Sequence, residues 1–215
     1  MKKVILFGML AFSMLLVSCG GDSAEGTTTD TTAVVEAPKT VVTQYTIDTT
    51  ATIINWKAYG KIGDTSKYHA GTIKALSGTV SASDSAGVTA LVSGDLAINM
   101  NSAKESAGAT DLDGHLLSPD FFDVNKFASS NFTFEKFENG TITGSLSLIG
   151  QTVAITAPAE VTITADNVTV NVSMFKIDCL AIGMPYFVGE TKLKPAKQHD
   201  PNIEITATVV AVKAL

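Results

Sequence analysis

Arginine is absent from the 215 residues, so every basic side chain is a lysine. Without a guanidinium, no bidentate fork is available to clamp a phosphate or a carboxylate. Cysteine occurs twice, at Cys19 and Cys179, which rules out a disulfide framework within the chain if Cys19 is modified. Acidic residues outnumber basic ones, 21 to 15, for a formal charge of −6. That balance argues against nucleic acid as a partner. After residue 17 no apolar run approaches the ~20 residues of a membrane-spanning helix.

What the chain does have is two textures. The first is its start, MKKVILFGMLAFSMLLVSCGG. Lys2 and Lys3 form a positive n-region, and Val4 to Val17 an apolar stretch too short to span a bilayer stably, which together read as a removable signal peptide. Leu16-Val17-Ser18-Cys19 resembles the lipobox of bacterial lipoproteins, in which cleavage before the cysteine leaves a thiol that receives diacylglycerol. The expectation is therefore a signal peptide over 1–18 and a membrane lipid anchor on Cys19. Loss of two lysines takes the charge to −8. Gly20 after the cysteine, in place of the Asp that retains some lipoproteins at the inner membrane, points by analogy to the outer membrane of a cell envelope. Residues 19–44, rich in Gly, Thr, Asp and Glu, read as a flexible linker.

The second texture, over 45–215, consists of short alternating runs of Val, Ile, Thr and Phe broken by Gly, Asn and Asp, which predicts one antiparallel all-β domain. Strands are expected at 42–47, 52–59, 71–81, 88–100, 130–137, 141–148, 153–157, 160–164, 168–177 and 203–213. Asn139-Gly140 is a strong type I′ hairpin signal, and Asp166-Asn167 a second turn. In 141–148, Ile142, Gly144, Leu146 and Leu148 share one face opposite Thr143, Ser145 and Ser147; Val168, Val170, Val172 and Met174 share a face in the same way. Such oily faces need either a two-sheet sandwich or a barrel, and periodicity alone does not choose.

One dense non-strand segment interrupts the pattern: Asp111-Leu-Asp-Gly-His-Leu-Leu-Ser-Pro-Asp-Phe-Phe-Asp-Val-Asn-Lys-Phe127. It resembles the central motif of the YceI-like family, matching at Asp113, His115, Leu116, Leu117, Ser118, Asp120, Phe121, Phe122, Asp123, Val124 and Phe127. Other pieces follow in the family's order: Tyr45-Thr-Ile-Asp48, Trp56, His69-x-Gly71, Ser77-Gly78, Gly94 to Ser102, Phe132-Thr-Phe134, and Gly144 through Gly150-Gln-Thr152. The resemblance spans 45–213. It implies an antiparallel lipocalin-like barrel with a short helix or loop segment between early and late strands, and a hollow apolar interior that takes a polyisoprenoid. The chain departs from the family at Cys179 and Ile182, where an arginine and an aromatic are usual, and at Ala128, where proline is usual.

Catalysis and metal binding find little support. Asp111, Asp113, His115, Asp120 and Asp123 fit no complete metal motif, and read as caps for a short helix and for backbone donors. His69, His115 and His199 are the chain's imidazoles, there is no Gly-x-Ser-x-Gly elbow, and Cys179 lies in an apolar run typical of an inert packed thiol. The histidines read as structural.

The expected function is thus a membrane-anchored binding or carrier protein, not an enzyme, needing no cofactor other than a bound isoprenoid lipid as ligand. Its tail would be polyprenyl or quinone-like. Phe121 and Phe122 would close one mouth; Trp56, Phe132, Phe134, Leu146, Leu148, Met174, Ile182, Met184 and Tyr186 would contact ligand. The competing expectation is a packed barrel acting as a surface module that binds protein or glycan through its loops.

Overall fold

The structure, a computed structural model, describes residues 39–214. The expected signal peptide, Cys19 and most of the expected linker lie outside the described residues. Nine strands follow in order: β1 (Val41–Ile47), β2 (Ile53–Lys61), β3 (Asp64–Ser85), β4 (Val88–Glu105), β5 (Ser129–Glu138), β6 (Thr141–Leu148), β7 (Gln151–Ile163), β8 (Asn167–Asp178) and β9 (Asn202–Lys213). Helix α1 (Thr110–Leu117) lies between β4 and β5; α2 (Pro185–Glu190) and a 3₁₀ turn (Pro195–Lys197) lie between β8 and β9. β1 starts at Val41, so the last residues assigned to the linker belong to the sheet.

The antiparallel order β2-β9-β8-β7-β6-β5-β4-β3 closes because β3 pairs with both β4 and β2. β1 and β2 together make one wall, since each pairs with β3 on one side and β9 on the other. The result is an eight-walled barrel with one interrupted wall. Asp48 and Thr52 repair the interruption. The Asp48 carboxylate accepts from the backbone N–H of Thr50 and Ala51, at 2.9 and 3.0 Å, and the Val210 N–H of β9 donates to the Thr52 hydroxyl at 3.1 Å. The Asp48 bonds shape an exposed turn, and Thr52 gives a part-buried donor of β9 the partner that the broken ladder lacks.

Barrel closure answers what periodicity left open: a strand with one oily face satisfies its edges without a second sheet when the first and last walls meet. Three hairpins turn with both central residues at positive φ: Ala86-Gly87, Asn139-Gly140 and Ile149-Gly150. This is the type I′ geometry expected of Asn139-Gly140. The two strands expected at 153–157 and 160–164 are one. Pro158, which cannot donate, sits where β7 ends its pairing with β6 and starts on β8 at Ala159. β3 begins earlier than expected because Thr65–His69 form a hairpin arm exposed on both faces, which leaves no alternation to read.

The two ends of the barrel differ. At one, the β3–β4 hairpin, the start of β1 and the end of β9 meet over small buried side chains, Ala82, Ala157, Ala159 and Ala211. Both helices and the β2–β3 hairpin are at the other. Among the described residues no helix is long and apolar enough to cross a membrane.

Candidate functional site

The barrel is hollow. A cavity of about 440 Å³ runs along its axis, above the ~300 Å³ at which ligand pockets begin. Its walls are the inward faces of the strands: Ile54 and Trp56 of β2, Phe132 and Phe134 of β5, Ile142, Leu146 and Leu148 of β6, and Val170, Val172, Phe175 and Ile177 of β8. Glycines shape two of these walls. A Cβ on Gly144 would stand 2.4 Å from Cζ of Phe132, so the bare backbone of β6 makes room for the neighbouring ring. A Cβ on Gly71 would stand 2.7 Å from Cζ2 of Trp56, its register partner on β2. The Trp56 indole Nε1 is buried without a hydrogen-bond partner.

The lid has two parts. The motif segment after α1 folds back on itself: Phe122 N–H donates to Leu116 C=O and Val124 N–H to Leu117 C=O. This buries Leu116, Phe121 and Phe122 over the cavity. Asp113 holds the segment to β4 by accepting from Glu105 N–H at 2.7 Å. α2 supplies Tyr186 and Phe187, and Tyr186 N–H donates to the Asp120 carbonyl at 2.9 Å, locking the two parts together. Phe121, Tyr186 and Phe187 form one aromatic cluster, with centroid distances of 4.6 to 6.1 Å.

The polar side of the site was not anticipated. All three histidines of the chain line the cavity, and each stands beside a carboxylate: His69 at 3.6 Å from Glu105, His115 at 3.2 Å from Asp120, and His199 at 2.6 Å from Glu190. They come from separate parts of the chain, so spacing carries no sign of their meeting. Glu190 accepts from both His199 N–H and Nδ1, and a carboxylate only accepts, so His199 carries its hydrogen on Nδ1. The Tyr186 hydroxyl, 3.0 Å from that nitrogen, therefore keeps its own hydrogen for another acceptor. Burial, then the charge of and hydrogen bond to Glu190, push the Tyr186 phenol up to about 12, which keeps it a donor. The mouth offers imidazoles and a phenol backed by carboxylates, whose negative charge makes the set better suited to hydrogen bonding an uncharged oxygen than to holding an anion.

Of the residues expected to contact ligand, Trp56, Phe121, Phe122, Phe132, Phe134, Leu146, Leu148 and Tyr186 line the cavity. Three do not. Met174 is 49% exposed, because a register shift between Val172 and Phe175 reverses the parity of β8 and brings Phe175 inward instead. Met184 is fully buried at 0%, but packs in the core beneath α2, its N–H bonded to Cys179 C=O. Ile182 sits half-buried in the turn leading to α2. Cys179 lines the cavity at 2% exposure, and burial, with the nearby Asp178 charge second, pushes its thiol up to about 12. A thiol in that state is a packing group rather than a nucleophile. Three of the motif's four acids use their oxygens internally: Asp113 on Glu105 N–H, Asp120 on His115, and Asp123 on Lys126 at 2.8 Å.

A closed antiparallel barrel with an apolar interior and a two-part aromatic lid is a lipocalin-type barrel. The chain belongs to the YceI-like family, whose domain model matches residues 45–211. Solved structures that share the fold include these two. Burkholderia cenocepacia BcnA is 18% identical with a TM-score of 0.58, over 77% of this chain and 99% of its own. A polyisoprenoid binding domain from Saccharophagus degradans, implicated in plant cell wall breakdown, is 14% identical with a TM-score of 0.57, over 79% of this chain and 98% of its own. No curated protein sequence matches the chain.

Proposed function

We propose that this protein binds one isoprenoid lipid, its tail in the barrel and its head at the imidazole-lined mouth, as a carrier or store and without chemistry of its own. The observation that carries this reading is the continuous apolar lining of a 440 Å³ cavity in a barrel of the YceI-like family. The polyisoprenoid-binding neighbour of the same fold supports it. Binding would be driven by removing apolar surface from water, at about 0.8 kcal/mol per buried CH₂ before the costs of ordering. A cavity of ~150 Å³ takes one benzene, so this one holds roughly eighteen carbons, three to four isoprene units. A longer tail would leave its remainder outside. The mouth favours an uncharged oxygenated head, an alcohol or a quinone-like carbonyl. In the same reading Cys19 carries the lipid that keeps the domain at an envelope membrane, the outer one.

The test is organic extraction of the protein purified from its native membrane, followed by mass spectrometry, together with uptake of a prenol series by the delipidated protein. Near-stoichiometric isoprenoid is expected, with affinity rising to roughly C15–C20 and then levelling. A protein that carries no isoprenoid from the cell and takes up none in solution would sink the reading.

A further inference from the structure

The chain is acidic overall, but its lysines are not evenly spread. The β2–β3 hairpin (60–68) and the loop from α2 through the 3₁₀ turn (188–198) hold five lysines, Lys61, Lys67, Lys192, Lys194 and Lys197, against two acids, Asp64 and Glu190. All five are exposed, and none forms an ion pair among the described residues. Both acids keep their charge, and Lys61 and Lys67 act on Asp64, so the two segments carry a net charge of +3, five less two, which Asp200 and Glu105 at the opening offset in part. The same two segments expose large apolar side chains: Ile62, Tyr68, Val188 and Leu193.

These segments flank the place where the cavity reaches solvent. Tyr59, Gly60 and His69 line it on the hairpin side, and His199 and Asp200 on the other. Asp200 N–H donates to the Tyr59 carbonyl at 3.3 Å, and both histidine side chains are part-exposed. A net-positive rim of lysines interleaved with exposed Ile, Leu, Val and Tyr, set around the opening of an apolar cavity, has the composition of a surface that sits in the headgroup layer of an anionic membrane. Lysine stems lie along apolar surface while their ammonium groups reach phosphate. The chain enters the barrel at the opposite end, where Val41 of β1 pairs with Asp84 of β3. An attachment on the N-terminal side therefore does not itself bring the mouth to a bilayer, and the rim supplies what that attachment lacks.

We infer that the β2–β3 hairpin and the 188–198 loop form a docking surface for an anionic phospholipid bilayer, through which the cavity exchanges its lipid. This rests on the lipid-binding reading above, and goes beyond it in naming the surface and its partner. A lysine near an anionic surface is worth about fivefold in binding. The experiment uses the chain from residue 19 onward, secreted behind a conventional signal peptide and carrying Cys19→Ala, so that neither the apolar leader nor an acyl group contributes, sedimented with vesicles of phosphatidylcholine alone or mixed with phosphatidylglycerol. Binding is expected to the mixed vesicles only and to fall with salt. It should weaken more than tenfold in Lys192→Glu/Lys194→Glu, but not in Lys136→Glu/Lys213→Glu, whose lysines lie toward the other end of the barrel. Transfer of a fluorescent prenol from mixed vesicles should slow with it, while uptake of the same prenol from solution and the thermal midpoint stay unchanged. Absence of vesicle binding, or equal weakening by the two double variants, would overturn the docking surface. Failure of the unsubstituted domain to take up prenol from solution would instead overturn the lipid-binding reading.

Discussion

The ring of Phe121 lies stacked on that of Tyr186, centroids 4.6 Å apart and 24° from parallel. It is the contact by which the motif segment and α2, two separate excursions of the chain, become one lid over the cavity. Removing the Phe121 ring strips a buried side chain from this seam, and Phe121→Ala should cost about 3 kcal/mol of stability and speed release of a bound prenol. Tyr186→Phe keeps the stack and loses only a hydroxyl, so it should stay within about 1 kcal/mol of the parent. Urea denaturation and stopped-flow release measure the two effects; equal losses in both variants would show that the stack does not close the lid.

Gly144 is the test of the wall. Its substitution by alanine would put a methyl against Cζ of Phe132 and the carbonyl of Thr133, each 2.4 Å away. Swinging the Phe132 ring into the cavity relieves the first clash but not the second, so β5 and β6 must also move apart at Thr133. Overpacking of this kind costs about 1–3 kcal/mol, and the displaced ring should lower prenol affinity and shorten the longest prenol accepted. Thermal unfolding and the prenol series together check this. Unchanged chain-length preference would place Phe132 outside the binding volume.

Cys179 should be chemically silent. With its thiol pushed up to about 12 and only 2% exposed, it should react with a disulfide reagent at pH 8 orders of magnitude more slowly in the folded protein than in denaturant. Rapid modification of the folded domain would mean that solvent reaches the cavity beside β8.

Glu105 gives the domain an acid limit. Its burial works to raise the carboxyl, but N–H donors from Ala109 and Ala107 and the His69 ring outweigh burial and hold it below the usual range. A carboxyl depressed on folding contributes stability above its unfolded pKa and loses it as pH falls through the folded value. Urea midpoints should therefore drop from about pH 4.3 downward, and Glu105→Gln should flatten that limb. Parallel limbs in parent and variant would show that other carboxylates set it.

Much of this was legible in advance where one strand buries one face. Thr141–Leu148 has the bounds expected, with Ile142, Leu146 and Leu148 buried, because nothing interrupts its alternation. Met174 was misread for the complementary reason. A bulge inserts a residue without changing composition, and the parity beyond it reverses silently. The exposed arm Thr65–His69 was missed because a strand that buries neither face leaves no pattern. The imidazole mouth was invisible, since the three histidines lie in separate stretches of chain and nothing in their spacing shows that they meet.

The sequence by itself determined the family, the all-β texture, the hairpin at Asn139-Gly140 and the oily faces that had to meet, because these are properties of neighbouring residues and of one long motif. Only the tertiary structure decided that the walls close around empty space, that three distant histidines meet carboxylates at its mouth, and that five lysines from two segments flank that mouth. Those are consequences of barrel closure, which brings together residues whose separation along the chain bears no relation to their distance in space.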